Sequence, residues 1–277
     1  MATMTVNDTE IWYDDSGGDG EVVLFHHGYT GSHDTWPQII ERMAPGRRYV
    51  MMDARGAGDS ARPDDDRYTM AQYTDDVIGV VDALGIDTFT YVGHSMGGGI
   101  GFLLGLDHGS RLDKLVLVAP VPSGGVVTPP GMREAGAALW HARNEEELLR
   151  QRLVGAARPE SIDPVRTKNG VSRALSVSVG HYEQSWDSIA AFDVTDRLGE
   201  LTTPTLIIGG AADGLVKANV EDYLRLPRAS LHVFSRVGHL IPGEVPDEFA
   251  AVLDDFLVNG VVTAGTLAKR VAEDASA

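Results

Sequence analysis

Residues 88–106 read Thr-Phe-Thr-Tyr-Val-Gly-His-Ser-Met-Gly-Gly-Gly-Ile-Gly-Phe-Leu-Leu-Gly-Leu. The first six, 88–93, are a β-branched and aromatic run with the character of a strand, and 96–106 follow a helical pattern. Between them sits Gly93-His94-Ser95-Met96-Gly97, a G-x-S-x-G. A serine on such a strand-to-helix turn is pushed out of the sheet in a strained backbone conformation. Flanking glycines fit because a Cβ at either would strike the neighbouring strand or helix. The helix N-terminus then lies beneath the hydroxyl and favours negative charge. Ser95 is the candidate nucleophile.

A serine hydroxyl is a weak nucleophile near neutral pH, so it needs a base and an acid to orient that base. In a strand–turn–helix setting the chain order is serine, acid, histidine. Nine histidines compete. His239 follows Val237-Gly238, just past the strand-like run 230–234, on a loop that can reach the active edge of a sheet. His232 lies inside that run and reads as structural. His108, His141 and His181 fall on helical stretches. Asp213 follows the strand-like run 205–209 through Gly210-Ala211-Ala212, at the carboxyl end of its strand, where open parallel sheets place their chemistry. Its competitors, Asp187, Asp193 and Asp196, lie in or near a helical insertion, and Asp107 and Asp113 flank the opposite end of the sheet. The expected role of Asp213 is to hold the His239 imidazole in one tautomer.

A tetrahedral intermediate also needs preorganised donors. The Met96 N–H comes with the turn. His27-Gly28-Tyr29-Thr30-Gly31-Ser32 follows another strand-like run, 22–27, and offers the Tyr29 N–H. His26 and His27 are neighbours on that run and should point to opposite faces, so they read as packing residues and not as a metal pair. Gly56-Ala57-Gly58-Asp59-Ser60-Ala61 imitates a dinucleotide fingerprint, but Arg62-Pro63-Asp64-Asp65-Asp66 follows where a helix should open. Asp53 and Arg55 are expected to fix this loop by pairing with each other. No cofactor and no metal are expected.

Strand-like runs at 22–27, 49–53, 88–93, 112–119, 205–209 and 230–234 alternate with helical patterns at 68–84, 96–106 and 246–257. This predicts an α/β protein, a mostly parallel sheet with helices on both faces. Residues 5–14 read as an antiparallel strand at its leading edge. Between 119 and 205 the strand character lapses. A Pro/Gly segment, 120–131, leads into helical stretches at 134–152 and 172–190. We expect a core of residues 1–121 and 200–260, an inserted helical lid at 122–199, and a frayed or weakly helical tail at 261–277. Trp140, His141, Tyr182 and Trp186 are candidates to line the substrate pocket, in competition with ordinary lid–core packing.

The 277 residues carry 23 Lys+Arg against 40 Asp+Glu, a formal charge of −17, with 43% hydrophobic residues and no cysteine. The composition is that of a globular protein. The charge opposes nucleic acid and anionic lipid surfaces, and the absence of cysteine excludes disulfides, thiolate metal sites and a cysteine nucleophile. The N-terminus lacks a secretory pattern, and no apolar run approaches the roughly 20 residues of a membrane span. These features predict a cytoplasmic monomer or homodimer acting on a small-molecule substrate, with no nucleic-acid or membrane partner.

Five ordered motifs, HGYTGS at 27–32, DARGAGDS at 53–60, GHSMGG at 93–98, GGAAD at 209–213 and VGH at 237–239, together resemble the α/β-hydrolase fold in its lidded serine esterase- and lactonase-like branch. The resemblance implies Ser95 as nucleophile, Asp213 as acid, His239 as base, and the Tyr29 and Met96 amides as oxyanion donors. One departure is local. Relatives often carry a proline shortly after the acid, where this chain has Asp213-Gly214-Leu215-Val216-Lys217. Haloalkane dehalogenases and epoxide hydrolases of this fold place aspartate in the turn, so Ser95 points away from them. The implied activity is hydrolysis of a small or medium, largely neutral hydrophobic carboxylic ester or lactone through an acyl-enzyme. The alternatives are a triad-dependent C–C hydrolase, a lyase similar to the menaquinone-pathway synthase that eliminates pyruvate, or a slow-turnover receptor of this fold. The lyase reading calls for pocket arginines, and the lid offers Arg133, Arg143, Arg150, Arg152, Arg158, Arg166 and Arg173. The net charge of −17 would oppose the approach of a polyanion.

Overall fold

The computed structural model describes residues 1–274. Alternation within the strands decides its layering. In β3 (Val22–His26), Val23 and Phe25 join one apolar cluster and Leu24 joins the other. In β6 (Leu112–Val118), Leu115 and Leu117 face the cluster of Leu24, and Val116 and Val118 face that of Val23 and Phe25. Every one of these side chains is fully buried. With about 1.5–3 kcal/mol for each large apolar side chain buried, both faces must be covered, and a one-residue slip would exchange the two sets.

Among the described residues one eight-stranded sheet runs in the order β1-β2-β4-β3-β5-β6-β7-β8. The remaining strands are β1 (Ala2–Val6), β2 (Thr9–Asp15), β4 (Arg48–Met52), β5 (Phe89–His94), β7 (Thr205–Gly210) and β8 (Ala229–Phe234). β1 and β2 pair antiparallel, β2 meets β4 antiparallel, and all later pairs are parallel. Helices α2 (Met70–Ala83) and α3 (Met96–Asp107) cover one face through residues such as Val77, Val80, Ile100 and Leu104. The other face is closed by α1 (Pro37–Ile40) and α10 (Pro246–Asn259) through Ile39, Phe249, Leu253 and Phe256. Four further helices stand between β6 and β7: α4 (Met132–His141), α5 (Glu145–Val154), α6 (Pro164–Ser176) and α7 (Val179–Ala190). The chain ends through α8 (Val216–Arg225), α9 (Ile241–Glu244), α10 and α11 (Ala264–Asp274).

Several expected elements divide differently. The single strand expected at 5–14 is a hairpin. Asn7 and Asp8 both have positive φ, 48° and 62°, as a tight two-residue turn between twisted strands requires. The helical stretch 134–152 breaks at Arg143 (φ 51°), after which the Asn144 side chain accepts the Glu147 N–H at 3.1 Å and starts α5. The stretch 172–190 breaks at Val177, and Ser178 caps α7 through the His181 N–H at 3.0 Å. Caps, not apolar periodicity, set these boundaries.

In the expected tail, α11 forms from 264 to 274 with no residue of it buried, and 275–277 lie outside the described residues. One stretch among the described residues, Pro246–Asp274, is long and apolar enough to cross a membrane by length and composition, which the sequence reading missed. It is two helices parted at Gly260, and Phe249, Leu253, Phe256 and Leu257 of the first are spent on the core.

Candidate active site

Ser95 stands where β5 turns into α3, with φ 55° and ψ −111°. That backbone is sparsely populated for any residue with a Cβ, and surrounding structure must hold it. Close approach does so. A Cβ on Gly93 would fall 2.2 Å from the Gly97 carbonyl oxygen, and one on Gly97 would fall 2.7 Å from the His26 carbonyl oxygen. Ser95 is half-buried in a stretch whose neighbours are all buried, so the turn delivers its hydroxyl to the sheet edge.

The loops after β7 and β8 reach the same edge. His239 Nε2 lies 2.9 Å from Ser95 Oγ, and His239 Nδ1 lies 2.8 Å from Asp213 Oδ2. A carboxylate accepts, so Nδ1 carries the hydrogen, and Nε2 is left to accept the Ser95 O–H. Asp213 Oδ1 also accepts the Leu215 N–H at 3.1 Å. Burial pushes the Asp213 carboxyl towards neutrality, but the hydrogen bond and charge of His239 outweigh it and hold the group below the ordinary carboxylate value.

Gly28-Tyr29 passes over the serine. Neither the Tyr29 N–H nor the Met96 N–H donates to any acceptor among the described residues. A Cβ on Gly28 would stand 2.9 Å from Ser95 Cβ and 3.0 Å from His94 Nδ1. Gly28→Ala must therefore lift this loop. It should lower kcat on an activated ester by about 10²-fold, the scale of one lost oxyanion donor. An unchanged kcat in the folded variant would remove the loop from the chemistry.

The four candidate pocket residues separate. Tyr182 and Trp186 both lie 5.7 Å from the Tyr29 ring, whose hydroxyl donates to the Tyr182 carbonyl. Trp140 is turned into the inserted helices. It stacks on Tyr182 at 4.0 Å, and its indole N–H donates to the Ala174 carbonyl at 2.8 Å. His141 turns outward to Glu183 at 2.7 Å. Arg133 lies 4.5 Å from the Tyr182 ring centre and 5.1 Å from that of Trp186.

Two expectations fail here. Asp53 and Arg55 do not pair. Arg55 forks onto Asp76 of α2 at 2.6 Å and 2.6 Å, because its long side chain spans to the helix. Asp53 takes the His33 ring at 2.7 Å, the His33 N–H at 2.7 Å and the Asp59 N–H at 2.8 Å. His26 and His27 do not diverge either. β3 ends at His26, alternation ends with it, and the two rings stack at 5.2 Å.

His33, Asp53 and Asp59 come within 4.8 Å of one another, a spacing open to a metal. The Asp53 oxygens are already engaged by three N–H groups, and Arg173 of α6 binds Asp59 at 2.6 Å and Asp34 at 2.8 Å. These donors make the cluster a junction between the inserted helices and the core. His94 was overlooked in the sequence because it fills the variable position of the serine motif. Its contact with the His239 backbone is visible only in three dimensions.

A family model described as alpha/beta hydrolase fold matches residues 21–245. A Caulobacter vibrioides protein named "Putative carbamate hydrolase RutD" is 30% identical over 273 residues, covering 93% of this chain and 99% of its own. A 2-hydroxy-6-oxo-6-phenylhexa-2,4-dienoate hydrolase of Burkholderia cepacia is 30% identical over 268 residues, covering 88% of this chain and 90% of its own. Among solved structures, Est816, described as an N-acyl homoserine lactone degrading enzyme, superposes with a TM-score of 0.77 at 27% identity, over 92% of this chain and 100% of its own.

Proposed function

The chain belongs to the alpha/beta hydrolase fold family, and on that premise we propose that it is a serine hydrolase of small or medium, largely neutral hydrophobic carboxylic esters or lactones. The observation that carries this reading is the hydrogen-bonded chain Ser95–His239–Asp213 at the carboxyl edge of the parallel strands. Ser95 Oγ attacks the acyl carbon as His239 Nε2 takes its proton. The oxyanion is received by the Tyr29 and Met96 N–H groups. The tetrahedral intermediate collapses, His239 returns the proton to the leaving alkoxide, and an acyl-enzyme remains. Water attacks it with His239 again as base, freeing the acid and restoring Ser95. Asp213 fixes the productive tautomer and offsets the charge that His239 takes on. Helices α4–α7 serve as the lid.

A neutral substrate is supported by five of the seven arginines of the lid, whose guanidinium groups already have partners. Arg133 is held by Glu183, Arg150 by Glu147, and Arg173 by Asp34 and Asp59. Arg143 is held by the Leu175 carbonyl, and Arg158 by the Ser235 and Arg236 carbonyls. The lactone-degrading Est816 is in keeping with this reading. A second reading rests on Arg152. It is half-buried with its guanidinium against Gly170 of α6, burial disfavours its charge, and that guanidinium donates to no acceptor among the described residues. A carboxylate on the substrate would complete it, as in C–C cleavage of a dienoate, the substrate in the name of the Burkholderia cepacia relative.

A substrate panel separates the two. An aryl ester, a γ-lactone, a carbamate and a 6-oxo-dienoate are offered to the wild type and to Arg152→Gln. The ester or lactone should be turned over fastest, and Arg152→Gln should leave it within about threefold. Cleavage of the dienoate alone, lost in Arg152→Gln, would replace the ester reading with the second.

A further inference from the structure

We propose that His94, the residue before the nucleophile, is a positioning residue that ties the base loop and the oxyanion loop to the serine turn. The proposal rests on the triad reading above. His94 ends β5 and is 6% exposed. Its Nε2 lies 2.9 Å from the backbone carbonyl oxygen of His239. A carbonyl accepts, so Nε2 of His94 carries the hydrogen and donates it. This is the hydrogen bond that the His239 backbone makes among the described residues. The neighbouring anchors of the loop lie one residue or more to either side, where Gly238 N–H reaches Glu244 at 3.0 Å, Val237 O accepts Ala212 N–H at 2.9 Å and Leu240 O accepts Gly243 N–H at 2.8 Å.

The other flank of the His94 ring faces the oxyanion loop. A Cβ on Gly28 would stand 3.0 Å from His94 Nδ1, so the Gly28 backbone rests directly against the ring. One buried side chain thus touches the base loop and the oxyanion loop while its own backbone leads into Ser95. The two imidazoles are 5.0 Å apart and tilted by 45°. At that separation a second cation would oppose the imidazolium that His239 becomes. Burial, and then the neighbouring His239, hold the His94 ring neutral down to a pKa of about 3. His94 therefore holds the base without opposing its charge. A backbone shift of about 1 Å at His239 would spoil the line from Nε2 to Ser95 Oγ and cost about 10²-fold in rate.

The variants are His94→Phe, which keeps a ring and loses the donor, and His94→Gln, which keeps an N–H within reach. With an aryl ester, His94→Phe should lower kcat about 10–100-fold with KM within about threefold. The rate of fluorophosphonate labelling at Ser95 should fall in parallel. His94→Gln should recover most of the loss. A folded His94→Phe that is labelled at the wild-type rate overturns the proposal and leaves the triad standing. A wild type that takes no label overturns the triad and the proposal together. ¹⁵N NMR of the wild type needs no stable variant. His94 should show the neutral Nε2–H tautomer from pH 5 to 8. An Nδ1–H tautomer, or a proton taken up within that range, overturns the role.

Discussion

Ser95→Ala should lower turnover of an activated ester by about 10⁴–10⁶-fold, with the fold intact. The size follows from what the variant loses and keeps. Without Oγ no acyl-enzyme forms, and His239 has no nucleophile to deprotonate except water. The Tyr29 and Met96 N–H groups and the binding surface remain, and such remnants sustain some 10³–10⁴-fold catalysis over water in serine hydrolases. The fold should hardly notice. Alanine keeps the Cβ, so the φ of 55° is no more strained than before. One hydrogen bond to a part-buried imidazole is removed, about 1 kcal/mol, and His239 keeps its 2.8 Å bond to Asp213. Melting temperature, kcat and fluorophosphonate labelling on the same preparation check all of this. A folded Ser95→Ala that hydrolyses the ester at the wild-type rate would end the triad reading.

How far the chain could be read in advance depended on whether the deciding contacts were local. Layering was legible because each strand sorts its side chains by parity, as Leu115 and Leu117 against Val116 and Val118 show. The three residues that chain order singles out, Ser95, Asp213 and His239, stand within hydrogen-bonding distance because the topology brings three strand ends to one edge. Partner choice was not legible. Sequence proximity suggested that Asp53 would hold Arg55, yet a buried guanidinium takes whatever carboxylate its length can reach, here Asp76. Helical spacing could not say which of Trp140, His141, Tyr182 and Trp186 would turn towards Tyr29. Their direction depends on where α4 and α7 break and how they cross, and Arg143 and Ser178 set the breaks.

The histidines lead to the second large effect, which concerns stability. Acid should destabilise the protein well above the range of its carboxylates. Burial lowers His26, His94 and His181 from 6.5 to about 3 each. The structure gives the reason. His26 Nε2 and His181 Nε2 are buried with no hydrogen-bond partner among the described residues, so a proton placed there finds neither water nor acceptor. His94 has already given its Nε2 hydrogen to the His239 carbonyl.

The sign follows from linkage. Above pH 6.5 both folded and unfolded chains hold these rings neutral, and stability is fully present. As pH falls below 6.5 the unfolded chain binds protons that the folded chain refuses until about pH 3, so stability is lost across that window. Each ring forfeits about 2 kcal/mol between pH 6.5 and 5, and the three together about 6 kcal/mol, a large part of a typical 5–15 kcal/mol.

His33 works the other way. Burial disfavours its charge, but the Asp53 hydrogen bond and charge outweigh that and raise it, so one histidine opposes five, since burial also lowers His27 and His232. Asp53 and Asp213 are held below their ordinary values and add to the loss only at lower pH. Urea midpoints measured from pH 7.5 to 4.5 should therefore fall steeply, with a slope near 4 kcal/mol per pH unit around pH 5. His181→Phe should weaken the protein at pH 7.5, since it severs the bonds to Tyr73 and the Arg55 carbonyl, yet flatten the slope by about a third. A urea midpoint that stays level from pH 7 to 5 would mean that these rings accept protons while folded, and the buried cluster would then have to be open to water.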